Sequence, residues 1–384
     1  MTALEASECA QNRRARRGIL MSDKPTLSDV IICRQARRFW GPLLAKSAAV
    51  GYALRMLARA DSSGFSGLAI ASPAAFPAWA RSANTPESEA EAAFLAGAAL
   101  ARLDALVREN PPWAGVLRQR LALSAAAASV FRSGRAEDET ALRDAFHLTR
   151  PGADPGPAGR TLLAWRTLTS GSAGQWRSSI GDAAKALQIP QDKVLQVAVD
   201  AAAACAAGAR LAPFAAAKTY QLALRVLTPG AGEKFGGRGG EGALLAAGLA
   251  DCVLAQKLHW PFALPLLAAP LLSPAGRRRA AADLADGAEP TRVLFCYAQA
   301  AARACDLSAE LGRRAQRLAE VEPKLRAKGA RAALQALLDD DSLSAATNIS
   351  GLSERGARRL FDRLVALGAI RELTGRVTFR LYGL

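Results

Sequence analysis

Apolar residues recur along most of this chain at helical spacing. In EAAFLAGAALARLDALVREN, Phe94, Leu95, Ala98, Ala99, Leu103, Leu106 and Val107 form one stripe. That stripe predicts a helix from about Glu87, stopped at Asn110-Pro111-Pro112. Trp113 to Phe131 reads as the next helix, ended by Ser133-Gly134, and Glu137 to Leu148 as a third, closed by Arg150-Pro151-Gly152. Further helices are predicted from Thr161 to Leu168 and over 180–188, 192–208, 211–227, 243–258, 264–272, 275–286 and 290–319. Alanine runs such as Ser124 to Ser129 and Asp200 to Ala209 favour helix, because alanine loses no side-chain entropy there. Gly230 to Gly242 reads as a flexible or tight loop. No internal repeat of fixed period is visible.

The pattern changes after Pro323. Lys324 to Leu338 predicts a helix, ended by Asp339-Asp340-Asp341 as a solvated helix end. Acid at a helix C-terminus opposes the macrodipole, so that run is left without a physical reason. Ser342 to Gly351 leaves room for a short second helix and a turn. Ser353 is an N-cap for a third helix with two unlike faces. Ala357, Leu360, Phe361, Leu364, Val365 and Leu367 lie on one; Arg355, Arg358, Arg359, Asp362 and Arg363 lie on the other. Gly368 stops it, and Ile370 to Leu373 and Val377 to Tyr382 alternate like strands around Thr374-Gly375-Arg376. Three helices plus a β-hairpin is the plan of a winged helix, whose third helix can enter the major groove of DNA, and which is also used to pair with other proteins.

The fold expected is therefore mainly α: a multi-helix bundle with a C-terminal winged helix. Residues 1–69 form a basic N-terminal extension, partly helical (about 33–59) or disordered; 70–86 a linker; 87–320 an all-helical body; and 321–384 the winged helix.

Charge sharpens this picture. The 384 residues carry a net charge of +16, and hydrophobic residues are 51%. Residues 1–60 hold eleven Lys/Arg against four Asp/Glu, and residues 311–384 hold fourteen against eight, so the two ends carry most of the excess. Such ends attract polyanions. Arg355, Arg358, Arg359 and Arg363 are expected to face groove and phosphates, with Arg376 and Arg380 on the wing. The function expected is binding of double-stranded DNA, regulatory or replicon-associated. The alternative is a non-enzymatic interaction scaffold whose winged helix packs on the body or on a partner. A protein partner or a homodimer fits either.

Long stretches carry a resemblance: EAAFLAGAALARLDALV, WAGVLRQRLAL, EDETALRDAFHLTRPGADPGPAG and GARRLFDRLVALGAIRELTGRVTFRLYGL. From about Ala74 to Leu384 the chain resembles the uncharacterised bacterial family catalogued as domain of unknown function 1403. That resemblance implies no particular chemistry. The tail also looks like the winged helix that ends many Fic-family proteins. Their catalytic His-Pro-Phe and Gly-Asn-Gly-Arg signature is missing, since the nearest string is His259-Trp260-Pro261-Phe262 with no such loop after it.

Other chemistry finds little support. The two histidines, His147 and His259, read as packing or capping residues, and no metal-ligand spacing is present, so no metal or other cofactor is expected. Asp154 to Thr161 misses the phosphate-loop pattern at its first glycine and at its lysine, and reads as a rigid interhelix loop. A deep cleft lined by Asp104, Arg118, Asp144, Arg150 and Arg166 together would point to an enzyme. Trp113, Trp165 and Trp176 read as core. Six dispersed cysteines with no C-x-x-C pair read as free thiols in a cytoplasmic protein. The apolar stretch Asp251 to Leu272 contains three prolines and reads as core, not as a membrane span.

Overall fold

Alanine-rich helices pack closely, and this chain uses that to surround one helix completely. The computed structural model describes residues 76–81, 84–150, 152–228, 239–273, 290–376 and 379–384. Within it, helices α1 (Glu89–Glu109), α2 (Ala114–Arg132), α3 (Glu139–His147), α4 (Gly156–Ser170), α5 (Trp176–Ala186) and α6 (Lys193–Ala207) come first. Then follow α7 (Ala212–Leu227), α8 (Gly239–Lys257), the short α9 (Ala268–Leu272) and the long α10 (Pro290–Val321). The C-terminal part contains α11 (Ala330–Asp339), β1 (Leu343–Ser344), α12 (Glu354–Ala366), β2 (Arg371–Glu372) and β3 (Leu381–Gly383). The protein is mainly α, as its periodicity predicts. The helices expected over 33–59 and 275–286 lie outside the described residues.

Helix α8 is the centre. Ala243 to Ala247 and Leu249 to Ala255 are all buried, whichever way they point, as expected of a helix that is apolar all round. It packs against α7, α6, α5 and α2, while α10, about 48 Å long at 1.5 Å per residue, runs along α1. The last residues of the glycine run are helical here and not a loop. Gly240 and Gly242 open α8 where a Cβ would overlap Ser133 Oγ in the first case and come within 2.7 Å of the Leu227 carbonyl oxygen in the second. Close approach, not mobility, is what these glycines provide.

Helix ends follow local chemistry. Ser88, Asp138 and Asp192 each accept a backbone N–H from the first turn of α1, α3 and α6. Asn110 ends α1 in the left-handed region at φ 45°. Helix α9 starts later than the apolar pattern suggests, because Asp251 takes the N–H groups of Leu266 (3.0 Å) and Leu267 (3.3 Å). Asp251 is itself buried, and burial drives its carboxyl well above the usual range against those two backbone donors and Tyr297.

The tryptophans are core, each with its indole N–H satisfied: Trp113 by Ser308, Trp165 by Ser129 and Trp176 by Gln256. Cys252, Cys296 and Cys305 are buried free thiols, and Cys205 is half-buried. Asp251 to Leu272 forms the end of α8, a turn and α9, mostly packed into the core, with Gln256, His259 and Pro261 exposed. Among the described residues, no helix is long and apolar enough to cross a membrane. The described residues belong to one compact unit, Ser62–Leu384.

Candidate nucleic-acid interface

Helix α12 is positioned by its buried face. Ala357, Leu360, Phe361 and Leu364 are buried, and the Phe361 ring lies against Tyr382 of β3 at 4.9 Å between centroids. Ser353 caps the helix by accepting the Gly356 N–H at 3.2 Å, and Gly368 leaves it at φ 65°. Val365, assigned to the inner face by spacing, is 37% exposed at the edge of the stripe.

The opposite face presents Arg355, Arg358, Arg359 and Arg363, all exposed. Arg358 pairs with Glu354 at 2.9 Å, one turn away. Arg355, Arg359 and Arg363 have no ion pair among the described residues. They span about 12 Å along the axis at 1.5 Å per residue. Asp362 on the same helix receives Arg380 at 3.5 Å and the Tyr382 hydroxyl at 3.2 Å. The hydrogen bond with Tyr382 comes first in holding the Arg380 guanidinium above its ordinary pKa, followed by the charge of Glu372.

The sheet has the order β1-β3-β2, antiparallel throughout, with Leu343 opposite Tyr382 and Arg371 opposite Gly383. The short second helix expected over Ser342 to Gly351 does not form. Strand β1 occupies its start, and Thr347 then closes a turn: its N–H donates to the Ser344 carbonyl, and its hydroxyl accepts from the Ser344 N–H at 3.3 Å. Strand β2 is shorter than the strand expected over Ile370 to Leu373; of the strand expected over Val377 to Tyr382, residues 377 and 378 lie outside the described residues, and β3 covers Leu381–Gly383. Thr374 and Gly375, the latter at φ 60°, make the turn after β2. From there Arg376 reaches α3 and pairs with Asp144 at 2.6 Å. The six predicted arginines thus divide: three open, two paired with acids on or next to α12, and one held by the body.

The acidic run is where the structure departs most from a solvated helix end. Asp340 pairs with Arg166 of α4 at 2.5 Å. Asp341, with its side chain 3% exposed, receives Arg143 of α3 at 2.6 Å and stands 2.5 Å from Arg120 Nε of α2, the latter without the alignment of a hydrogen bond. Burial works to raise the Asp341 carboxyl, but the Arg143 hydrogen bond and the charges of Arg120, Arg143 and Arg166 outweigh it and hold the pKa below the ordinary value. Arg120 also donates to the Leu384 carbonyl oxygen at 2.9 Å. Beside them His147 Nε2 meets Ser342 Oγ at 2.9 Å, and burial, partly opposed by Asp340, lowers the pKa of that imidazole. Gly115 lets α2 cross Asp339, where a Cβ would come within 2.6 Å of its Cα.

Nothing in the local sequence pattern predicts this clamp. A signal for it is nonetheless present: three consecutive carboxylates at a helix C-terminus need cations, and Arg120 sits in the alanine-rich α2, with Arg143 and Arg166 on the two helices that follow. Four of the five residues named for an enzyme cleft have partners of their own among the described residues. Asp104 goes to Arg108 and Trp260, Arg118 to the Thr169 carbonyl and the Phe262 ring, Asp144 to Arg376, and Arg166 to Asp340. Asp154 pairs with Arg160 at 2.8 Å where α4 begins.

No curated protein matches the chain. One family model matches residues 68–384, from ahead of α1 through β3, and the chain belongs to that family, described as protein of unknown function (DUF1403).

Proposed function

We propose that the protein binds double-stranded DNA through the outer face of α12, with the C-terminal part acting as a winged helix. Helix α11 and the turns before Ser353 are its first helical segments, α12 its recognition helix, and β2 and β3 its wing. The observation that carries this reading is the row Arg355, Arg359 and Arg363, exposed and without ion-pair partners among the described residues, on a helix whose other face is buried. Guanidinium groups held on a rigid helix meet phosphates with little ordering cost. Arg358, Arg376 and Arg380 add to the surface by exchanging carboxylate partners for phosphate. The likeness of the tail to Fic-family winged helices bears on this architecture alone.

The test is an anisotropy titration of labelled mixed-sequence duplex at several salt concentrations. The wild type is set beside an Arg355→Ala/Arg359→Ala/Arg363→Ala variant. Non-specific binding at about 1–100 μM is expected for the wild type at physiological salt. In the triple variant the slope of log K against log salt falls by about 2.7, at roughly 0.9 for each of the three phosphates released, with the melting temperature unchanged. Equal binding by both proteins places the DNA grip elsewhere.

A second reading has its own observation. Arg376 is engaged by Asp144, and the acidic run is engaged by Arg120, Arg143 and Arg166. A winged helix joined to the body in this way suits a protein-interaction scaffold. Absence of duplex binding even at low salt selects it.

A further inference from the structure

Away from the α12 face, a cavity of about 250 Å³ opens among α2, α3, the segment ahead of α9, α9 itself and α10. It has room for roughly eight water-sized groups at ~30 Å³ each. The apolar part of its lining is Leu121, Pro265, Leu266, Pro270 and Leu307. The polar part is Arg120, Ser124, Glu139 and Arg303, from the same helices α2 and α10 and from α3. An apolar chamber with a few convergent polar groups is the usual form of a small-molecule site.

The polar part of the lining favours an anion. Arg303 is exposed and has no ion pair among the described residues, and the Ser124 hydroxyl has no partner among them. Two guanidinium groups, Arg120 and Arg303, line the cavity against one carboxylate, Glu139; Arg143 and Asp341, outside the lining, reach Glu139 and Arg120. Glu139 is 46% exposed in area, yet it stands within reach of Arg143 at 3.8 Å. Arg120 uses Nε toward Asp341 and Nη2 toward Leu384, which leaves Nη1 and its two N–H donors unengaged among the described residues.

We propose that this cavity binds a small organic carboxylate with a compact apolar body, held by Arg303 and Arg120, and that occupancy braces the clamp on Asp341 through Arg120. The carboxylate meets the exposed Arg303, and its apolar body lies against Pro265 and Pro270. A ligand on Arg120 Nη1 restricts the same guanidinium that contacts Asp341 and Leu384, so binding is felt in the C-terminal part. The inference does not depend on what α12 binds.

The experiment is a calorimetric titration of the full chain with benzoate, and with benzamide as the neutral match in shape. Benzoate is expected to bind with a Kd of about 1 mM or tighter, in keeping with its roughly nine non-hydrogen atoms. Benzamide and the Arg303→Gln variant with benzoate are each expected to be weaker by about tenfold or more, as for loss of a charged hydrogen bond. Ala300→Leu, which fills the cavity from α10, abolishes binding; Arg303→Gln is at an exposed position and keeps the fold. Equal affinity for benzoate and benzamide, or no saturable binding by ~20 mM, twentyfold above the expected Kd, overturns the site. Amide exchange from Asp339 to Leu343 is then followed with saturating benzoate. A slowing of about threefold or more is expected for a braced segment, and unchanged rates overturn the link to the clamp.

Discussion

Replacing Asp341 with alanine tests whether the clamp joins the C-terminal part to the body. The side chain is 3% exposed, and its partners Arg143 and Arg120 are 9% and 20% exposed. The substitution leaves two poorly hydrated guanidinium groups without their carboxylate. Breaking a buried pair from one side costs about 3–5 kcal/mol, mostly through the charge left behind. At about 2.1 cal/mol/K per residue, a unit of roughly 300 residues has an unfolding entropy near 0.6 kcal/mol/K, so the melting temperature falls by about 5–8 °C. Scanning calorimetry at pH 7 measures it. Asp341→Asn keeps the shape and one acceptor and is expected to lose less. A double variant, Asp341→Ala/Arg143→Met, is expected to lose less than the sum of its single changes, because the stranded charge is removed with its partner. The pH dependence has a definite sign. The folded-state pKa is below the unfolded value of about 3.9, so the contribution of Asp341 is fully present above that value and is lost as pH falls through the folded pKa. The gap between wild type and variant therefore closes below about pH 4. An Asp341→Ala protein that melts within ~2 °C of wild type at pH 7, where about 5 °C or more is expected, would refute the reasoning.

Two further tests address other parts of the fold. Asp251 has the opposite linkage: its folded pKa is raised by burial, so its stability contribution is full below the unfolded value of about 3.9 and is lost as pH rises from there through the folded pKa. Asp251→Asn keeps the oxygen acceptor for Leu266 and Leu267 without the ionisation, so its stability relative to wild type is expected to rise between pH 4 and pH 8 in urea denaturation; a flat difference would count against a carboxyl kept neutral. Gly115→Ala puts a Cβ at 2.6 Å from the Asp339 Cα, and a loss of about 1–3 kcal/mol is expected from that overpacking, read from the same denaturation curves; no loss would mean that α2 and α11 do not cross so closely.

The helices are legible in the sequence because each carries its own evidence. A stripe and a stop agree for α1, and a stripe, a cap and a stop together place α12 from Ser353 to Gly368. Its outward arginines follow from spacing alone, since a buried inner face decides the outer one. The partners of those arginines are not legible. Asp144 lies 232 residues from Arg376, and nothing local in either segment names the other. The expected second helix does not form because β1 pairs with β3 across a long separation, and the Ser344 and Thr347 polar groups satisfy the turn instead. Gly240 and Gly242 read as loop in the sequence, because glycine at a close helix contact and glycine in a flexible segment look alike until the neighbour is known.

The clamp also sets an order of events in time. Arg143 and Asp341 are separated by 198 residues. At about 5–20 residues per second, synthesis needs roughly 10–40 s to travel between them. For that interval the nascent body carries Arg120, Arg143 and Arg166 before their carboxylates exist. Helix α2 likewise waits for the chain that will cross Gly115. The growing protein therefore presents a transient basic, half-covered surface to the ribosome, a strongly anionic neighbour, and a segment made later is the one that covers it.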